Sequence, residues 1–208
     1  MRDEKQLARP TARTRLARLV SAVIHPVLFP LVTVGILSWS ATGHDARYGI
    51  EMSALGALVT SLPVGILVAY KVLRGQWTDF DVSVRRQRYL LYPVGIALLL
   101  VLAFVYRAVG APPITVQAAV AATVASALNA AINFVYKVSA HAASAATCAA
   151  LLLYALPTVG AVAVLATLAV GWSRVALGRH TVGQVLLGYV VGALSVAVVL
   201  AFRGSLTL

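Results

Sequence analysis

Three short polar stretches in an otherwise apolar chain hold the residue types that phosphate chemistry requires. The last, Ser173 to Gln184, sets Arg174 and Arg179 beside His180. Arginine presents a planar fork of donors to phosphate oxygens. A neutral histidine carries a lone pair that attacks phosphorus. The middle stretch, Lys137 to His141, adds an ammonium, the Ser139 hydroxyl and a second histidine. The first, residues 79–88, adds Asp79, Asp81, Arg85, Arg86 and Arg88. Charge at the edge of a bilayer is costly and calls for a reason. Interfacial anchoring is the plain reason, and it suits Arg85 and Arg86 as well as phosphate binding does.

Phosphoryl transfer needs cationic donors around the equatorial oxygens, an in-line nucleophile, and an acid behind the leaving oxygen. Arg85, Arg88, Lys137, Ser139, Arg174, His141 and His180 supply those parts without a metal. The carboxylates among these stretches are Asp79 and Asp81. Two histidines with those carboxylates make a weaker case for zinc, so the expectation is no metal and no cofactor. Both aspartates read as salt-bridge partners of the neighbouring arginines. His25 and His44 lie outside the constellation and read as structural.

The elements that position these residues are membrane helices. Of 208 residues, 61% are hydrophobic and 11% charged, too little charge for the surface of a soluble domain. Several apolar runs approach the roughly 20 residues that cross a bilayer. The expected spans are Leu19–Ser40 (kinked by Pro26 and Pro30), Ile50–Leu73, Tyr89–Val109, Ile114–Val135, two shorter runs at 142–156 and Ala161–Trp172, and Val182–Phe202. The fold expected is an all-α polytopic bundle of six to seven spans over residues 19–208, preceded by a basic arm over residues 1–18. The formal charge of +11 comes from 17 Lys and Arg against 6 Asp and Glu. In so apolar a chain it points to topology signals and an anionic lipid partner, with nucleic acid not expected. Cys148 sits in an Ala-rich run and reads as a packing residue.

An even number of crossings separates the polar stretches from one another and from the basic arm. All therefore fall on one membrane face, and the positive-inside rule makes it cytoplasmic. The expected setting is an integral protein of a prokaryotic plasma membrane.

The motifs carry a family resemblance. Ser173-Arg174-x5-His180 resembles the third signature of the type 2 phosphatidic acid phosphatase family, Ser-Arg-x5-His-x3-Asp. Ser139-Ala140-His141 is similar to the second, Ser-Gly-His, and Asp81-x6-Arg88-Tyr89 stands where the first, Lys-x6-Arg-Pro, belongs. The resemblance covers about residues 79–192. It implies a metal-independent lipid phosphatase in a helical bundle. His180 is then the nucleophile that becomes phosphohistidine, His141 the general acid, and Arg88, Ser139 and Arg174 the phosphate ligands. Three positions depart from the pattern. Asp81 replaces a Lys whose charge Arg85, Arg86 or Lys137 must supply. Ala140 replaces a Gly. Gln184 replaces the Asp that orients the nucleophile, and accepts its N–H without adding charge.

The substrate expected is a polyprenyl phosphate or diphosphate, or a phospholipid phosphate, reaching the site from the bilayer. Two rivals stand beside this reading. A non-catalytic lipid-phosphate binder or transporter is favoured by Gln184. A prenyltransferase is faintly suggested by Asp79-x-Asp81, but such enzymes need Mg²⁺ and usually a second Asp-rich motif. The sequence leaves the oligomeric state open.

Overall fold

A computed structural model describes residues 11–82 and 84–202, so Arg2, Lys5 and Arg9 of the basic arm lie outside the described residues. Within them the chain forms eight helices and no strand: α1 Ala12–Val23, α2 Leu28–Ala41, α3 Ala46–Leu73, α4 Arg88–Ala108, α5 Pro113–Asn133, α6 Ala140–Ala155, α7 Pro157–Ala176 and α8 Val182–Ala201. A 3₁₀ turn, Arg85–Gln87, leads into α4.

Local chemistry explains the boundaries. The Asp45 carboxylate accepts from the Arg47 and Tyr48 N–H groups and starts α3. Pro113 and Pro157 open α5 and α7, where a missing N–H costs nothing. Inside α3, Pro63 would press on the carbonyl four residues back. A π-helical stretch, Ala57–Ser61, lies immediately before it and absorbs the misfit.

Five helices are long and apolar enough to cross a bilayer, and α1 with α2 passes the same test as a pair bent by 47°. The last, α6, has 16 residues, about 24 Å of helix against a ~30 Å hydrocarbon core. This is an all-α integral membrane bundle with five candidate spans among the described residues, or six if the bent α1–α2 pair crosses as one. The kink expected of the first span is a 47° bend at a break over residues 24–27, where Pro26 cannot donate. One boundary needs correction: α1 begins at Ala12, inside the stretch read as the arm.

The short helix α6 is the centre of the bundle. Ten of its residues are buried, Ala142, Ala143, Ala145, Ala146 and Ala149 among them. Side chains this small let neighbouring backbones approach closely, which is how membrane helices pack. Gly188 and Gly192 of α8 lie against it: a Cβ at Gly188 would meet the Ser139 carbonyl, and one at Gly192 would meet the backbone of Ala143 and Thr147. On the other side, the Thr167 hydroxyl of α7 donates to the Ala145 carbonyl at 3.1 Å. Both faces of α6 are thus pinned, and with them the residues at its amino end.

Candidate active site

The Ser-Arg-x5-His spacing has a physical cause. Helix α7 ends in a Schellman turn: the Gly178 N–H donates to the Val175 carbonyl at 2.9 Å, and the Arg179 N–H to the Arg174 carbonyl at 3.0 Å. Gly178 takes the left-handed conformation this turn needs, with φ 65°. The chain folds back, and the His180 N–H also donates to the Arg174 carbonyl at 3.2 Å. The nucleophile candidate therefore sits beside the last turn of the helix that carries the arginine.

Thr181 then caps α8, and Gln184 completes a capping box. The Gln184 side chain does two jobs. Its Oε1 accepts from the Thr181 N–H at 3.4 Å and faces His180 Nδ1 at 3.0 Å. A backbone N–H can only donate, so the atom facing it is the amide oxygen. An oxygen there makes Nδ1 of His180 the donor, which leaves Nε2 with the free lone pair. Burial drives the His180 pKa down to about 3, with Arg88, Lys137 and Arg174 adding to the shift and the Gln184 bond opposing it. The ring is neutral at pH 7.

The second stretch docks on this one through the backbone. The Ser139 N–H donates to the Gln184 carbonyl at 3.2 Å, and Lys137 Nζ to the Arg179 carbonyl at 2.9 Å. The Ser139 hydroxyl caps α6 by accepting from the Ala142 N–H at 3.3 Å. Its own proton remains to be donated. Lys137 is held below the usual ammonium range, first by burial and then by Arg88, Arg174 and Arg179. His141, in the first turn of α6, is buried, and its Nε2 has no hydrogen-bond partner.

The first stretch closes the ring of contacts. Arg88 is buried at the start of α4; its Nε donates to the Val82 carbonyl at 2.8 Å and Nη1 to the Val138 carbonyl at 3.0 Å. Val82 has φ 47°, a costly conformation for a β-branched residue, held by that contact. The turn aims Asp81 away from its sequence neighbours. Its carboxylate pairs with Arg174 Nη2 at 3.0 Å, and Arg174 Nη1 donates to Ser21 Oγ at 2.7 Å. The expected pairing with the adjacent arginines is replaced by one across the bundle. Arg85 contributes its backbone, whose carbonyl accepts from Asn133 Nδ2 at 3.3 Å. Its side chain lines neither of the cavities below.

His25 also needs reassignment. The break between α1 and α2 brings its ring edge-on to His141, with centroids 5.3 Å apart. Its Nδ1 accepts from the Val27 N–H at 3.3 Å. A polar residue beside Pro26 in a membrane run was the available signal, since backbone irregularity inside a membrane is tolerated where it lines a cavity. His44 fits its structural reading, edge-on to Trp39 at 4.4 Å. Two cavities meet at His25 and Asp81. One of about 440 Å³ is mostly apolar and includes Arg88 and His141. The other, about 670 Å³, is polar and includes Arg18, Ser21, Arg174 and Arg179.

His25, Asp81 and His141 each place one potential metal-ligating atom within 4.8 Å of the others. Two histidines and a carboxylate are a sound donor set. Arg174, already paired to that carboxylate, opposes a second cation there.

Residues 111–207 match the family model of the PAP2 superfamily. Over these 97 of 208 residues the chain is similar to the PAP2 superfamily. That similarity suggests phosphatase activity on phosphate esters. No curated protein and no solved structure matches the chain. The PAP2 match takes in Ser139, His141, Arg174, His180 and Gln184. It begins after Arg88, Asp81, His25 and Ser21, which the structure nonetheless brings against the PAP2 residues.

Proposed function

We propose that the protein is a membrane-embedded lipid-phosphate phosphatase that works through a phosphohistidine. The reading rests on one observation above the rest. Gln184 fixes His180 with Nε2 unprotonated, in a buried setting that keeps the ring neutral and beside a cluster of arginines.

In the proposed reaction, Arg174 leaves Asp81 for the phosphate, and Arg88 and Ser139 add donors. His180 Nε2 attacks phosphorus while the bond to the leaving oxygen breaks. His141, protonated once the phosphate's negative charge is in place, gives its proton to that oxygen. Nδ1–H stays on Gln184 throughout. Neutral His141 then takes a proton from water as the water attacks phosphorus; the N–P bond breaks, phosphate leaves and His141 is protonated again. No step calls for a metal. The substrate is a polyprenyl phosphate or diphosphate, or a phospholipid phosphate, entering from the bilayer at the cytoplasmic face.

One observation favours a second reading. Asp81 occupies Arg174, and Gln184 brings no charge to the imidazolium of the transition state, as a lipid-phosphate binding protein would tolerate. Trapping of labelled phosphoenzyme decides between them. The phosphatase reading expects label in the wild type and none in His180→Ala. It expects slow turnover by His141→Ala on substrates whose leaving group needs no proton. Hydrolysis should survive EDTA; loss on chelation with recovery on adding a divalent ion would move the chemistry to the His25, Asp81, His141 trio. Label retained in His180→Ala overturns the nucleophile assignment. Absence of label and turnover with any lipid phosphate favours the binding protein.

A further inference from the structure

The apolar cavity runs inward from the proposed phosphate site. His25, Asp81, Arg88 and His141 stand at one end, and Leu102 and Tyr106 at the other. Along α6 its lining extends from Ala140 to Leu151, about 16 Å at ~1.5 Å per residue, or half of a ~30 Å hydrocarbon core. Apart from α6, its walls are α2 to α5, most of them outside the PAP2 match.

Glycine keeps this cavity open. Gly95 on α4 and Gly65 on α3 both line it, and a Cβ at either would meet nothing within 4 Å. Gly188 and Gly192 differ, because neighbouring backbone leaves them no room for a Cβ. Glycine in a helix interior costs about 1 kcal/mol against alanine. At Gly95 and Gly65 no packing contact requires it. What the missing side chains provide there is space.

We propose that this cavity holds one hydrocarbon chain of the substrate, and that Gly95 and Gly65 keep it wide enough for one chain only. The preferred substrate is then a single-chain lipid phosphate, prenyl or monoacyl, over a two-chain glycerolipid. The proposal rests on the phosphatase reading above. The volume of about 440 Å³ holds roughly fifteen groups of a water molecule's ~30 Å³, the scale of one chain. A tail leaving the bilayer for this cavity passes between two apolar media, so little affinity is gained. The cavity selects by shape and sets the phosphate beside Arg88 and His141, at the junction with the polar cavity that Arg174 lines.

The test compares wild type, Gly95→Leu and Gly65→Leu in detergent micelles. The substrates are farnesyl phosphate, a monoacyl lysophosphatidic acid, a diacyl phosphatidic acid and chain-free p-nitrophenyl phosphate. Wild type should prefer both single-chain substrates over the diacyl lipid by roughly tenfold or more in kcat/KM, the scale at which a filled pocket discriminates. Gly95→Leu should lower both single-chain values by a similar factor and leave p-nitrophenyl phosphate within about twofold. Gly65→Leu should act in the same direction. A diacyl lipid processed as well as the single-chain ones overturns the proposal. So does a Leu variant that leaves single-chain turnover intact, or loss in both variants on all substrates alike. If wild type hydrolyses nothing, the phosphatase reading fails and the cavity is tested by binding of a fluorescent farnesyl phosphate. Binding lost in Gly95→Leu supports the cavity; binding equal in both proteins overturns it.

Discussion

Asp81 and Arg174, 93 positions apart, form an ion pair of 3.0 Å in which the arginine side chain is 2% exposed and the carboxylate 29%. The carboxylate takes the Nη2 donor of Arg174, whose Nε has no hydrogen-bond partner. If phosphate binds Arg174 as proposed, Asp81 competes with it for the guanidinium. Asp81→Asn keeps the shape and an acceptor oxygen while removing the charge. Because the pair is partly solvated, the expected gain is about 1 kcal/mol, or about fivefold tighter inhibition by inorganic phosphate and a similarly lower KM. Thermal stability should fall at the same time, since Arg174 loses its counter-charge. A KM that is unchanged or higher would count against this role.

The Gln184 contact sets the pH response. In the free protein His180 stays neutral down to about pH 3, so kcat/KM should show no acid limb from this residue between pH 5 and 8. Gln184→Asp places a carboxylate on Nδ1, stabilises the imidazolium and raises the His180 pKa. The variant should turn over faster near pH 8, where the nucleophile is still neutral, and lose activity at a higher pH than wild type on acidification. Taking the ratio of the two profiles cancels the substrate's own titration. Superimposable profiles would refute the assignment. The stability sign follows from the same shift. A depressed histidine pKa contributes stability that is present above about pH 6.5 and is lost as pH falls toward about 3.

Gly192 tests the packing that holds the two histidine stretches together. Its missing Cβ leaves room for the Ala143 carbonyl and the Thr147 N. Gly192→Leu should separate α8 from α6 and cost about 1–3 kcal/mol or more. The readout is a lower melting temperature in detergent, with loss of turnover on every substrate. Gly95→Leu, by contrast, should leave the melting temperature unchanged or raised. Equal melting behaviour of the two variants would contradict the distinction between crowded and open glycines.

The reach of the sequence can be argued residue by residue. The placement of His141, Arg174 and His180 at helix ends was legible because helix ends are written locally: a Schellman turn spans the five residues between Arg174 and His180, and Ser139 caps the helix that His141 opens. The membrane bundle was legible from composition. Helix α6 was faint because alanines give no amphipathic stripe, and small residues pack on every side. His25 was missed because its role depends on a break in α2's approach, which Pro26 permits but does not aim. Asp81 was paired with the wrong arginines because proximity in sequence favoured Arg85 and Arg86. The left-handed turn at Val82 sends the carboxylate the other way, and no residue type at Val82 announces that turn. Lys137, read as a phosphate ligand, gives one of its three N–H donors to the Arg179 carbonyl.

The break at residues 24–27 bears on what counts as a transferable unit. It swings α1 against α7, so that Ser21 reaches Arg174 and His25 reaches His141. A chimera grafting residues 111–207 onto foreign helices would inherit both central histidines and Arg174. It would leave Arg174 without Ser21 and Asp81, and the Val138 carbonyl without Arg88. The two halves of the chain are therefore bound to change together: a substitution at Ser21 or Asp81 alters what position 174 tolerates, although some ninety residues or more separate them.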